Sequence, residues 1–295
     1  MIRIIGFIII ASQWTNATFA QLEVSIEEQL IQTTSLILGL DSKTEKWKTG
    51  TGFFYIDNEL APGSIFLVTN KHVVKDKKEG ILSFNSIDRN KKIYGNEQKA
   101  RIANFENEWI GHPDTTVDLC YMNINPIINA FKSKGIEIFT RTLSPDLIPS
   151  DSVWSTMSVL EEVIMIGYPN GISDKTNNIP IIRTGITATP PKLNYNNKKE
   201  FLIDIAAFPG SSGSPIIVKR TPWKVKENSF GVYPEYYFVG VLYAGPTYSP
   251  EIKELEFLRI DELADSLNLK TDIMINLGNV IKSSEITYMI RTTKK

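Results

Sequence analysis

The stretch that most constrains this chain is Phe208-Pro209-Gly210-Ser211-Ser212-Gly213-Ser214-Pro215, which stands between apolar runs. Its glycines and prolines demand a tight turn. A serine between two glycines in such a turn is what a nucleophilic hydroxyl needs if backbone N–H groups are to point at the same reacting atom. Gly210, with no Cβ, can present its N–H beside that of Ser212 without filling the space where a substrate oxygen would gain negative charge. Gly213 and Ser214 keep the far side narrow. Gly, Ser and Pro are also ordinary loop formers, so taken alone the stretch reads as a plain turn.

A serine hydroxyl needs a base within hydrogen-bond reach, and the chain has two histidines, His72 and His112. His72 follows the apolar run Ile65-Phe66-Leu67-Val68-Thr69-Asn70-Lys71 and precedes Val73-Val74. Its imidazole therefore sits where a buried strand ends and a turn begins. His112, in the turn tetrapeptide Gly111-His112-Pro113-Asp114, is expected at the surface. The third member should be a carboxylate buried against the far nitrogen of the imidazole, fixing its tautomer and stabilising the imidazolium. Asp118, a single charge inside Val117-Asp118-Leu119-Cys120-Tyr121-Met122, fits, because a charge there needs a partner. Asp114 and Asp76 have polar, turn-like neighbours and are expected in solvent. Asp204 also lies in an apolar run and is a second candidate on burial grounds.

Gly50-Thr51-Gly52-Phe53, Thr69-Asn70-Lys71-His72-Val73-Val74, Val117-Asp118-Leu119 and Gly210-Ser211-Ser212-Gly213-Ser214-Pro215 stand in the order His, Asp, Ser. In this the sequence resembles the trypsin-like, chymotrypsin-fold serine peptidases, especially the bacterial branch that includes the high-temperature-requirement proteases. An α/β-hydrolase places its serine before its acid and histidine, and no histidine follows Ser212 here. The spacings, 46 residues from His72 to Asp118 and 94 from Asp118 to Ser212, are similar to those of the family.

The resemblance covers roughly residues 30 to 262. It implies an all-β fold of two six-stranded antiparallel β-barrels with the active site between them and a short C-terminal extension. It also implies His72 as general base, Asp118 as orienting acid, Ser212 as nucleophile and the N–H groups of Gly210 and Ser212 as oxyanion hole. The substrate would be a protein or peptide, held by β-addition along the strand Tyr237 to Tyr243, with no cofactor and no metal. The specificity pocket would have its floor at Ala206 and walls near Tyr243 and Ala244. With no acid at the floor, a small or medium apolar side chain is the expected preference. Two positions depart from the family: Ser211 stands where digestive trypsins have an acid, so activation by a freed N-terminus is not expected, and Ser214 replaces a second glycine. A trypsin-fold binding protein, catalytically silent or gated, is the alternative, since fold does not fix function.

Before the barrels, residues 1–20 have the layout of a secretory signal: Arg3, the apolar run Ile4 to Ala11, a polar stretch and Ala17-Thr18-Phe19-Ala20. The run is too short to span a bilayer, which takes about 20 residues. Cleavage after Ala20 would make the protein secreted or periplasmic; read instead as a first strand, the segment leaves it cytoplasmic. The N-terminal barrel is expected over residues 22–145, the C-terminal barrel over 146–262, and the extension, 263–295, packed on both. Short apolar runs separated by turn residues carry that pattern. The single Cys120 cannot form an internal bridge and reads as a small core residue. A net charge of −1, with Lys-rich pieces interrupted by Asp, Glu and Asn, gives no nucleic-acid or anionic-membrane surface.

Overall fold

The computed structural model describes residues 25–87, 94–226, 229–232, 234–245, 247–248, 273–274 and 276–294; the segment read as a signal, residues 1–20, lies outside them. A capped helical turn, Ile26–Leu30, leads into the first lobe. That lobe is built from β1 (Thr34–Asp41), β2 (Trp47–Ile56), β3 (Ile65–Thr69), β4 (Lys77–Ile87), β5 (Glu97–Ala103), β6 (Ile110–Gly111), β7 (Cys120–Asn123) and β8 (Glu137–Phe139). They form one eight-stranded sheet in the order β5-β4-β1-β2-β3-β7-β6, with β8 added to β4. Where the resemblance implies six strands in a closed barrel, the described residues make a wider sheet.

Alternation along its central strands explains why both faces are dry. Phe53 and Tyr55 of β2, Phe66 and Val68 of β3 and Tyr121 of β7 point into the core between the lobes. Their chain neighbours Phe54, Leu67, Cys120 and Met122 point into a second core on the outer face.

The second lobe comprises β9 (Glu162–Gly167), β10 (Ile181–Thr187), β11 (Glu200–Asp204), β12 (Pro215–Arg220), the hairpin β13 (Trp223–Lys226) and β14 (Ser229–Val232), β15 (Glu235–Ala244), the short pair β16 (Thr247–Tyr248) and β17 (Ile273–Met274), and β18 (Leu277–Lys282). Six of them close a barrel in the order β10-β11-β18-β15-β12-β9. Its interior is filled by Val163, Met165, Phe201, Ile203, Ile216, Val218, Val239 and Val280, among others. β18 lies inside the segment expected to be an extension, yet it fills the gap between β11 and β15, pairing Phe201 with Val280 and Val241 with Ile281. The barrel therefore runs past residue 262 to Lys282. The helix that follows, Ser284–Thr293, buries Ile286, Met289 and Ile290 at helical spacing against Tyr55, Phe66 and Tyr121 of the first lobe. Among the described residues no helix is long and apolar enough to cross a membrane.

Candidate active site

β3 runs directly into Asn70 and the helical turn Lys71–Val74, which carries His72. Val73 and Val74 anchor that turn in the outer core. Gly50 on β2 makes room for it, since a Cβ there would stand 2.4 Å from Val73 Cγ1. Facing the turn is the segment Gly111 to Leu119. Asp118 Oδ2 lies 2.5 Å from His72 Nδ1, and Asp118 Oδ1 accepts the His72 N–H at 3.1 Å. Asn70 Nδ2 donates to the Asp118 carbonyl at 2.8 Å. With these bonds made outside the sheet, Asp118 stands just before β7 rather than inside a strand from Val117 to Asn123. An ionised carboxylate can only accept, so Nδ1 carries the ring proton and Nε2 is left as a base. The His72 side chain is 48% exposed.

The turn around Ser212 is shaped by steric necessity. Ser211 N–H bonds to Phe208 O at 2.9 Å and Ser214 N–H to Ser211 O at 3.0 Å, two successive reverse turns. Gly210 and Gly213 have φ of 90° and 89°, a region closed to most side chains. A Cβ on Gly213 would lie 1.9 Å from the Thr51 carbonyl oxygen, and one on Gly210 2.5 Å from that of Tyr168. The turn is laced to β15, with Gly213 N–H on Leu242 O at 2.8 Å and Leu242 N–H on Ser214 O at 3.0 Å.

Among the described residues neither the Gly210 N–H nor the Ser212 N–H has an acceptor, so both are open to one. The Ser212 hydroxyl makes a long contact, 3.5 Å, with the Tyr243 carbonyl. Ser214, the departure from a second glycine, is fully buried, and Gly167 of β9 gives it space: a Cβ there would be 2.0 Å from Ser214 Oγ.

Central to this arrangement is Thr51, between Gly50 and Gly52 on β2. Thr51 Oγ1 donates to the Gly210 carbonyl at 2.8 Å and accepts the Tyr168 N–H at 3.0 Å, its N–H bonds to Ser212 O at 2.9 Å, and its carbonyl accepts the Thr69 hydroxyl at 2.7 Å. It thereby joins the Ser212 turn to the strand that leads to His72. A threonine on a β-strand is so ordinary that only the flanking glycines hint at the crowding.

Beside Ser212 opens a cavity of about 220 Å³ lined by Ala207, Phe208, Pro209, Leu242, Ala244 and Gly245. Of Ala206, Tyr243 and Ala244, expected at the specificity pocket, Ala244 is in this lining and Ala206 and Tyr243 are not; Ala207 and Leu242 are. Among the described residues the lining carries no charged side chain. Arg183 stacks behind it, its guanidinium 5.1 Å from the Phe208 ring centre. Tyr243 turns its hydroxyl away and donates to Glu200 Oε2 at 2.8 Å; burial and that carboxylate raise its pKa above the ordinary tyrosine value.

Three side chains differ from expectation or settle alternatives. His112 is buried, not exposed: its side chain is 1% accessible, with Nε2 3.4 Å from Glu285 Oε2 and the ring beside Tyr288. The C-terminal helix, remote in sequence, covers the turn that holds it. Asp204 is exposed at the end of β11, so its apolar neighbours do not bury it. Cys120 is buried, and burial first, then the Asp118 charge, pushes its thiol pKa up, as for a core residue.

Fold and site together define a class, and sequence comparison agrees. The trypsin-like peptidase domain matches residues 50–223, more than half of the chain, and the protein belongs to that family of peptidases. No curated protein matches the sequence. Among solved structures the chain is similar to the active form of the Rv3671c protease from M. tuberculosis, at 14% identity over 88% of this chain and 80% of that one, with a TM-score of 0.43. It is also similar to the HtrA-type protease AlgW with a decapeptide, at 13% identity over 92% of this chain and 68% of that one, with a TM-score of 0.48.

Proposed function

We propose that the protein is a serine endopeptidase that cleaves peptide bonds through an acyl-enzyme. Ser212 is the nucleophile, His72 the base, Asp118 the acid that orients it, and the Gly210 and Ser212 N–H groups form the oxyanion hole. The observation that carries this reading is the double engagement of Asp118 with His72, through the ring and through the backbone N–H. It supports Nε2 as the acceptor, and the unpaired Gly210 and Ser212 N–H groups support an oxyanion hole at the Ser212 turn.

The Ser212 hydroxyl leaves its long contact with Tyr243 O and gives its proton to His72 Nε2 as Oγ bonds to the scissile carbonyl carbon. Catalytic hydrogen bonds are often long in free enzymes and tighten with substrate. The C=O electron pair moves to oxygen and is held by the two N–H groups. Collapse breaks the C–N bond, with the imidazolium protonating the leaving amine. Water, deprotonated by His72, then attacks the acyl group and releases Ser212. The apolar cavity suits a small or medium aliphatic side chain before the cut, such as Val, Ala, Leu or Thr. Export with cleavage after Ala20 belongs to the same reading and is checked by N-terminal sequencing of the secreted protein.

Labelling by a fluorophosphonate probe tests the chemistry. Wild type is expected to label, and Ser212→Ala and His72→Ala not to. Turnover of peptide substrate should fall in Ser212→Ala on the order of 10⁴-fold or more. An unchanged rate there rejects the nucleophile, and no labelling of any form favours a silent scaffold.

A further inference from the structure

Asp118 lies in the segment that joins β6 to β7; the sheet closes the base of that segment, with the His112 N–H on the Leu119 carbonyl at 2.8 Å, and side chains hold the rest. At its start the His112 ring is packed under the C-terminal helix against Glu285 and Tyr288. Inside, the Asp114 carboxylate accepts the Thr116 N–H and hydroxyl at 2.9 and 2.7 Å, which stiffens the turn on itself. What ties this turn to the helical turn of His72 is Lys71. Its Nζ donates to the His112 carbonyl at 3.0 Å and to the Asp114 carbonyl at 3.1 Å. The aliphatic stem lies on Gly111, whose Cβ, if present, would be 3.1 Å from Lys71 Cε. Three consecutive residues thus grip one segment: Asn70 at the Asp118 carbonyl, Lys71 at the His112 and Asp114 carbonyls, and His72 at the Asp118 carboxylate.

We infer that Lys71 is a positioning residue of the peptidase, which sets the distance between the His72 ring and the Asp118 carboxylate by clamping residues 112–114 to the turn before His72. This rests on the triad reading above. The ammonium does not act by its charge on the ring. A cation beside an imidazole disfavours the imidazolium formed during acyl transfer, so removing it would by electrostatics alone speed the reaction. Its contribution is geometric, and a small misplacement of a base is enough to slow catalysis by one or two orders of magnitude.

The test compares Lys71→Met, Lys71→Arg and a control, Lys75→Met, an exposed lysine at the end of the same turn. Rates are expressed per active site titrated with fluorophosphonate, so that a poorly folding fraction does not count. Lys71→Met is expected to lower kcat about tenfold with KM within twofold. The downfield proton resonance of His72 Nδ1–H, identified by its loss in His72→Ala, should move upfield or broaden, because a short hydrogen bond is what deshields it. Lys71→Arg, whose guanidinium can still reach both carbonyls, should recover most of kcat, and the control should change neither quantity. Native kcat per titrated site together with an unmoved resonance in Lys71→Met overturns the inference while leaving the triad intact. A wild type that does not label overturns both.

Discussion

The two halves of the site are held by different physics. The Ser212 half is a steric construction: it hangs from a closed barrel, Gly210, Ser211, Gly213 and Ser214 of its turn are buried, and glycines stand where any Cβ would meet backbone atoms. The His72 and Asp118 half is a polar one: side chains of Asn70, Lys71 and Asp118 bridge backbone groups at the rim of an open sheet, with His72 half exposed. A packed turn has few ways to yield, so it should fail abruptly when altered. A clamp of several hydrogen bonds should weaken by degrees, since each is worth about 0.5–1.5 kcal/mol net.

The largest expected contrast is between two glycines. Gly213→Ala puts a Cβ against the Thr51 carbonyl oxygen at a positive φ and should cost on the order of 3 kcal/mol or more, with fluorophosphonate labelling lost. Gly111→Ala meets only the flexible stem of Lys71 and should stay within ~1 kcal/mol in urea denaturation. A Gly213→Ala protein of normal stability and reactivity would erase the distinction between the halves. Next is Thr51→Val, which keeps the shape but leaves the Gly210 carbonyl and the Tyr168 N–H without their partner. A loss of about 1–3 kcal/mol is expected, with a lower kcat as the turn around Ser212 loosens, if its N–H groups hold the oxyanion as proposed. If kcat per titrated site stays native, Thr51 serves stability alone.

A subtler probe concerns acid. At the end of β1 the Asp41 carboxyl is held well below its usual value near 3.8, first by the Thr44 N–H, then by Lys77 and Lys48. A depressed carboxyl pKa contributes stability above the unfolded value, and that contribution is lost as pH falls below it. Wild type should therefore lose stability between pH 5 and about pH 2, and Asp41→Asn, already less stable at neutral pH, should lose less over the same range. Urea midpoints across that range check it, and parallel slopes for the two proteins would remove Asp41 from the acid response.

How legible each half was in the sequence follows from the same contrast. Gly210, Ser212 and Gly213 could be read because a steric requirement leaves few residue types to choose from. His72 and Asp118 stood out as polar groups at or in apolar runs, and the motif order tied them together. Thr51 and Lys71 could not be read, since their roles lie in hydrogen bonds to backbone groups far along the chain, which no residue type announces. His112 was misplaced at the surface for a similar reason: its cover, the helix from Ser284, is local to it only in space. β18 was missed as a barrel strand because Leu277–Lys282 is short and its partners Phe201 and Leu242 are distant. The breadth of the first sheet depends likewise on pairings such as β4 with β8 that leave no local trace.

The place of β18 in the barrel also bears on how such a chain emerges from the ribosome. His72, Asp118 and Ser212 are all translated well before Leu277, yet until that strand arrives β11 and β15 have no neighbour to join them and the ring stands open. The helix that follows then bonds Thr287 to the Tyr55 hydroxyl and Thr293 to that of Tyr121, fastening the first lobe to the second. A nascent chain thus carries His72, Asp118 and Ser212 while lacking the frame that orders the segments around them. Order of synthesis alone delays the closed barrel and the contact between lobes until residues 277–293 are in place.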